Sequence, residues 1–491
     1  MAQGFIKTLV RCAAAAVSLA ASTSASQLVK TDFTLGAQGW TLADNGTEPL
    51  VEFSDHVGTF DGAPAELAFV APPAFLGDLT LAYRGSLSFE LLPSVRPFQP
   101  SRPAVELTGG DLGPASTPLI LRRHLAPPAT VFEFSSHQVA LSERAGWTVV
   151  SEARDATAEE MRNVLGNLQD LRIIADTVAS TNESIGLRAV RIDRPQVRVV
   201  IAAGQSNMSG CGDSRDAAFD FTPRHDVIFW NHLNDAFEPL TFGTSDTDCG
   251  HDPAEQPFYF GPEISFADAY EELLGDDLLV IIKYAAGGTS MHVDWVPPNE
   301  NPAFPNGGPV YNAFMAELDL VFGQLDAAGY DYTVEGMIWM QGESDTDRNN
   351  RSAAYFNDLS ALIDVVRTRV ANPEMAFIIA RILDNDFGFD ERVRDAQVLI
   401  GETDPFACWI DTDDLTKLDI VHYDEPSILT LGNRFANALR RLTGPRGDAN
   451  LDGIVDIEDV HHWTQNPSDE NCDGVVDQAD LDVVMESVRS E

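Results

Sequence analysis

The chain has 491 residues, 44% of them apolar and 22% charged, with a formal net charge of −44 at neutral pH. The apolar content is ordinary for globular protein and argues against wholesale disorder, while the length calls for several domains. The acidity argues against nucleic acid or an anionic membrane surface as a partner, because like charge opposes both.

Residues 1–26 read as a secretory signal peptide. Lys7 and Arg11 form a positive flank, Cys12 to Ala21 is a short apolar segment, and Thr23-Ser-Ala25-Ser26 supplies small residues for cleavage before Gln27. The apolar segment is too short for a stable anchor, and no later stretch approaches transmembrane length. The mature chain is therefore expected to be exported: secreted, periplasmic or at the cell surface. Four cysteines would then remain. Cys211 and Cys249 flank a loop-rich insertion and either pair or stay as buried thiols, and Cys408 sits in an apolar run expected in the core.

Residues 30–195 alternate short apolar runs with Gly and Pro breaks: Leu50–Phe53, Leu79–Tyr83, Leu87–Leu91, Leu119–Leu121 and Val131–Phe134. Period-two patterning with frequent turns predicts a β-sandwich, with one amphipathic helix over Glu159–Leu168. No exposed aromatic cluster can be assigned from the pattern. The block Pro72–Phe89, with Gly39-Trp40 and Gly146-Trp147, resembles the laminin B (laminin IV) domain. That resemblance implies a jelly-roll without a catalytic role, serving as a spacer or in surface attachment or glycan binding.

Over residues 196–444 strands and helices alternate, predicting an α/β three-layer domain with a parallel sheet covered on both faces. Predicted strands are Val197–Ala202, Leu278–Tyr284, Gly336–Met340, Ala376–Ile382 and Ala407–Ile410. Predicted helices are Glu263–Leu274, Tyr311–Ala328, Ala353–Val370, Glu391–Ile400 and Ile428–Leu442. Three strands end in residues suited to chemistry: Gly204-Gln-Ser206-Asn, Ala286-Gly287-Gly288-Thr, and Gln341-Gly-Glu343-Ser-Asp345. Asp419-Ile-Val-His422 stands before the last helix. A serine hydroxyl needs an imidazole to take its proton, and the imidazole needs a carboxylate to fix its tautomer. A developing oxyanion needs donors, which Gly N–H groups and a side-chain amide supply.

Taken together with Phe260-Gly-Pro-Glu263, Lys283, Trp295 and Trp339, these motifs resemble the SGNH hydrolase superfamily. Within it they resemble the sialate O-acetylesterase and acetylxylan esterase group, carbohydrate esterase family six. The resemblance implies Ser206 as nucleophile, His422 as base and Asp419 as its orienter, with Glu343 a rival for the supporting acid. It implies oxyanion donors at Ser206 N–H, at Gly287 or Gly288, and at the Gln341 side chain. The expected activity is removal of short acyl groups, acetyl foremost, from a polysaccharide or other glycan, with no cofactor for catalysis. The alternative is an inert hydrolase domain in a binding or adhesion protein. The 210–258 insertion is expected to line one wall of the site. Trp230 and Trp295 either stack on a sugar or belong to the core.

Residues 447–491 carry two twelve-residue acidic loops. Asp448, Asn450, Asp452, Ile454, Asp456 and Asp459 occupy positions one, three, five, seven, nine and twelve of the first; Asp469, Asn471, Asp473, Val475, Asp477 and Asp480 occupy those of the second. A Gly at position six turns each loop sharply. Such a ring of hard oxygens, with a backbone carbonyl at position seven, suits Ca²⁺. Asp at position twelve resembles dockerin type I repeats, implying two structural calcium ions, a helical module and a cohesin-like partner. A calcium-stabilised cap is the alternative. Val460 with Trp463, and Leu481 with Val484, predict two short helices packed together.

Overall fold

The structure, a computed structural model, describes residues 27–43, 50–61, 67–94, 103–110, 117–126, 130–174, 183–213, 215, 224–232, 234–243, 258–384, 388–473 and 475–490. The expected signal peptide, Cys249, Gly474 and about half of the 210–258 insertion lie outside them, and so does the Cys211–Cys249 pairing. The chain divides into two compact units: one running through Gln196 and including 329–331, the other comprising 197–328 and 332–491.

The first unit holds strands β1 (Gln27–Thr31), β2 (Thr41–Ala43), β3 (Val51–Glu52), β4 (Val57–Asp61), β5 (Ala68–Val70), β6 (Ser86–Pro93), β7 (Ala104–Gly109), β8 (Leu119–His124), β9 (Ser135–Ala140), β10 (Thr148–Val149), β11 (Arg154–Asp155), β12 (Leu168–Ile174) and β13 (Glu183–Asp193). One sheet runs β3-β4-β13-β6-β9 with β1 on β13, the other β11-β10-β8-β7-β12-β5-β2. Leu87, Phe89 and Leu91 of the first sheet share one core with Leu107, Leu121 and Leu171 of the second. Strand β6 alternates strictly between half-buried and buried, as a strand with one face on a core must. Helix α1 (Ala158–Gly166) opens with a capping box between Thr157 and Glu160.

Two predicted strands are corrected. Leu79–Tyr83 holds a 3₁₀ turn over Thr80–Ala82, because the Asp78 carboxylate accepts both the N–H and the hydroxyl of Thr80 and bends the chain. Val131–Phe134 precedes β9, and Phe132 takes a left-handed φ of +61°, which breaks the extended run there.

The second unit carries a seven-stranded sheet in the order β17-β16-β19-β14-β20-β21-β22. Its strands are β14 (Gln196–Gly204), β16 (Arg224–Asn231), β17 (Ala236–Leu240), β19 (Leu278–Ala285), β20 (Asp331–Met340), β21 (Ala376–Ala380) and β22 (Ala407–Ile410); β15 (Gly212–Asp213) and β18 (Tyr259–Phe260) pair apart from it. The helices are α2 (Ser206–Ser209), α3 (Glu263–Glu271), α4 (Pro309–Ala328), α5 (Asn349–Arg369), α6 (Asp390–Thr403) and α7 (Glu425–Thr443). All five predicted strands and all five predicted helices are present. The antiparallel β17, paired to β16, was not foreseen. Val199 to Gly204 is buried without a break, as expected of a parallel strand covered on both faces. On α4 the stripe Phe314, Leu318, Val321, Phe322 and Leu325 is buried as its spacing required. Strand β14 lies between β19 and β20, so the strand order reverses beside it, and crevices form outside the carboxyl ends of strands at such points. Among the described residues, no helix is long and apolar enough to cross a membrane.

In the tail, helices α8 (Ile457–Gln465) and α9 (Gln478–Ser490) pack around Ala449, Trp463 and Val484, with Val460 and Leu481 against them. Cys408, expected as a core thiol, is buried but forms a disulfide with Cys472 of the second acidic loop, with Cα atoms 5.2 Å apart. An apolar run shows burial and gives no sign of a partner 64 residues away. Arg440 and Arg441 at the end of α7 meet Asp448 at 3.3 Å and Glu470 at 3.1 Å. These links place the tail in the same compact unit as the α/β sheet.

Candidate active site

Strand β14 ends on Gly204, whose φ is +152° and where a Cβ would come within 2.1 Å of the Met340 carbonyl oxygen. Only glycine lets the chain turn this close to β20. The turn delivers Ser206 to the first position of α2, nearly buried at the sheet's carboxyl edge. Gly210 then passes Gly261 so closely that a Cβ would lie 2.2 Å from its Cα.

The Ser206 Oγ stands 3.0 Å from His422 Nε2, and His422 Nδ1 stands 2.8 Å from Asp419 Oδ2. The other Asp419 oxygen accepts the N–H groups of Val421 and His422, each at 2.8 Å. Partial burial alone would raise the Asp419 carboxyl. The Val421 N–H, the His422 ring and the His422 N–H outweigh that and hold it at about 2. An ionised Asp419 keeps the proton on Nδ1, which leaves Nε2 free to accept the serine hydroxyl proton. Glu343 does not touch the imidazole. It is buried, one of its oxygens accepts Asn207 Nδ2 at 2.6 Å, and burial raises its carboxyl above the usual range.

Asn207, Glu263 and Lys283 stood in the sequence motifs without an assigned role, and they fix this geometry. Asn207 accepts the Tyr423 N–H and donates to the Val421 carbonyl, gripping both residues that flank His422. Lys283 reaches from β19 to the Ser209 carbonyl at 2.6 Å and to Glu263 at 2.7 Å, with both side chains buried. Glu263 also accepts the Gly261 N–H. Adjacency to Ser206 in the chain was the available signal for Asn207. For Lys283 it was a lone cation inside an apolar strand.

The oxyanion candidates divide. Gly204 pairs with Ala285 in parallel register, and the Ala286 N–H donates to the Gly204 carbonyl. Both strands end there, and Gly287 and Gly288 form the turn that follows, Gly288 with φ +68°. Gln341 is corrected: it is fully buried, and its Nε2 donates to Asp345 at 2.7 Å, to the Thr289 carbonyl at 3.1 Å and to Gln205 at 3.3 Å. An amide already engaged with three acceptors has no hydrogen to present at Ser206. It holds the Thr289 turn instead, together with Asp345, which accepts the N–H groups of Met291 and His292. Trp230 and Trp295 are buried, Trp295 packing between Phe314 and Trp339, so both belong to the core.

Residues 196–441 match the family described as carbohydrate esterase, sialic acid-specific acetylesterase. Residues 68–200 match Laminin B (Domain IV). Solved structures similar to parts of this chain include a protein of Arabidopsis thaliana, at 21% identity and TM-score 0.40, covering 49% of this chain and 97% of that one. A carbohydrate acetylesterase from Xanthomonas citri is 12% identical with TM-score 0.34, covering 77% of this chain and 71% of that one. The L4b domain of human laminin alpha-2 is 18% identical with TM-score 0.29, covering 34% of this chain and 97% of that domain. No curated protein matches. With half of its length matched by the family and a serine, histidine and aspartate aligned at the sheet's switch point, the chain belongs to the sialic acid-specific acetylesterase family of carbohydrate esterases.

Proposed function

We propose that this protein is an exported serine esterase that removes acetyl groups from hydroxyls of a polysaccharide or glycan. The observation that carries the reading is the aligned row of Ser206, His422 and Asp419 within the esterase region. His422 Nε2 takes the Ser206 proton as Oγ attacks the ester carbonyl. The negative charge that develops on the carbonyl oxygen is met by the N–H of Ser206 and by that of Gly287 or Gly288. His422 returns the proton to the departing sugar oxygen, leaving an acetyl ester on Ser206. Water, deprotonated by His422, then attacks that ester, and acetate leaves as the proton returns to Ser206. Asp419 stays ionised and supports the imidazolium at each step.

The test is hydrolysis of 4-nitrophenyl acetate and of acetylated polysaccharides by the mature chain and by Ser206→Ala. Activity lost in the variant supports the reading. Inactivity of both proteins on every ester would leave the inert binding-protein alternative standing.

We further infer that the paired acidic loops hold Ca²⁺. Both fold alike: Asp459 and Asp480 are buried and accept N–H groups from positions three and nine of their loops. Gly453 takes φ +87°, giving the sharp turn at position six. Burial, with the Asp459 charge nearby, raises Asp448. Among the described residues, no three His, Cys, Asp or Glu side chains already converge as a cation cluster. The donor chemistry, hard oxygens with partly buried negative charge, nevertheless suits Ca²⁺, with Asp448, Asn450, Asp452, Asp456 and Asp459 as ligands in one loop and their counterparts in the other. Calorimetric titration with Ca²⁺ alone tests this, and Asp448→Asn with Asp469→Asn should abolish the heat.

A further inference from the structure

Among the described residues, the outer face of the β3-β4-β13-β6-β9 sheet is covered by neither the sandwich core nor a helix of its own unit. Along it, β6 and β13 carry two adjoining hollows. The larger, about 600 Å³, is lined by Lys30, Asp32, Ser88, Glu90, Gln138 and Arg191. The smaller, about 210 Å³, is lined by Val51, Phe53, His56 and Phe132 over Gly58 and Gly186. Ser88 to Ser94 spans both, roughly 20 Å of strand, enough for several sugar rings.

The apolar end is a shelf of rings. Phe53 stacks on His56 with centroids 4.3 Å apart and planes 4° from parallel, and Phe134 meets His56 edge-on at 5.4 Å. The shelf exists because Gly58 and Gly186 bare the sheet beneath it: a Cβ on Gly58 would lie 3.2 Å from the Phe53 ring, and one on Gly186 3.1 Å from His56. Phe53 is 49% exposed and Phe132 73% exposed, so both rings present apolar surface at one hollow. The polar end is pre-ordered. Arg188 lies 3.7 Å over the Phe134 ring and pairs with Glu90 and Asp55, Ser136 donates to Glu90, and Gln138 donates to Ser86. On a chain of net charge −44, the larger hollow balances Lys30 and Arg191 against Asp32 and Glu90. A ring shelf beside planar hydrogen-bonding groups with no net charge suits the apolar faces and hydroxyls of an uncharged sugar chain, and suits neither a polyanion nor a polycation.

We propose that this sheet face binds a neutral polysaccharide chain, holding the esterase against the polymer it deacetylates. The choice of polymer rests on the esterase reading; the binding does not. The experiment is affinity electrophoresis of full-length Ser206→Ala in gels containing acetylated xylan, deacetylated xylan, glucomannan or polygalacturonate. The same variant carrying Phe132→Ala and Gln138→Ala is run beside it. The expected result is retardation by at least one neutral polymer and by no polyanion, with affinity at least tenfold weaker in the sheet-face variant. Both substitutions are at exposed positions, and an unchanged melting temperature checks the fold. No retardation by any neutral polymer, or equal retardation of both proteins, overturns the proposal. A separate arm places Phe132→Ala and Gln138→Ala in the chain with Ser206 intact and measures 4-nitrophenyl acetate hydrolysis, which should be unchanged. Binding without hydrolysis would refute the esterase reading alone, and hydrolysis without binding would refute the sheet-face proposal alone.

Discussion

Replacing Asp419 by Asn tests which acid supports His422. The asparagine oxygen can still accept the Val421 and His422 N–H groups that anchor the loop. Its NH₂ would then face Nδ1 across the present 2.8 Å contact and force that nitrogen to accept. The proton moves to Nε2, pointing at Ser206 Oγ, so the base is in the wrong tautomer. For a buried triad aspartate this change costs about 10⁴ in kcat. The Asp419 side chain is 48% exposed, so water substitutes in part, and a loss of about 10²–10³ is expected, about 3–4 kcal/mol of transition-state stabilisation. KM should change little. Glu343→Gln keeps an acceptor for Asn207 and leaves the imidazole untouched, so less than a tenfold loss is expected. The assay is kcat and KM for 4-nitrophenyl acetate at pH 7–8 in both variants. Asp419→Asn retaining more than about a tenth of wild-type kcat, or Glu343→Gln falling further than Asp419→Asn, would refute the reasoning. A carboxyl held at about 2 in the fold stabilises it above the ordinary value near 4, and that contribution is lost as pH falls from about 4 to about 2. Asp419→Asn should therefore flatten the acid limb of the stability profile.

Lys283→Met leaves Glu263 buried without its cation, and a loss of about 3–5 kcal/mol in urea unfolding is expected, with less expressed activity as a result. Cys472→Ser opens a loop of 64 residues, which should cost about 4 kcal/mol by chain entropy and loosen the tail first; limited proteolysis after Gly444 reads this directly. EDTA should raise the solvent exposure of Trp463, now buried and bonded to the Ser468 carbonyl, while hydrolysis of small esters is largely kept. A fluorescence titration alongside the esterase assay checks both, and a large activity loss on chelation would contradict that independence. Burial pushes Asp345 up to about 6, so its contribution opposes folding increasingly as pH rises from about 4 to about 6. In Asp345→Asn, urea unfolding across that range should show this slope removed.

The sequence by itself determined the order of strands and helices around Ser206, because hydrophobic period and strand-end punctuation are local properties of the chain. It also determined Asp419 with His422, since three residues of spacing let both sit on one loop. What it could not show was contact between distant segments. The Cys408–Cys472 bond, the Asn207 grip on the His422 loop and the buried Lys283–Glu263 pair each depend on which strands become neighbours. Gln341 carries the clearest lesson. The resemblance implied an oxyanion donor, but packing beside Asp345 and Thr289 engages its hydrogens. The aromatic shelf was invisible for the same reason: Phe53 and His56 lead into β4, Phe132 and Phe134 into β9, and they meet only because one sheet sets β13 and β6 between those strands and glycines leave the face bare.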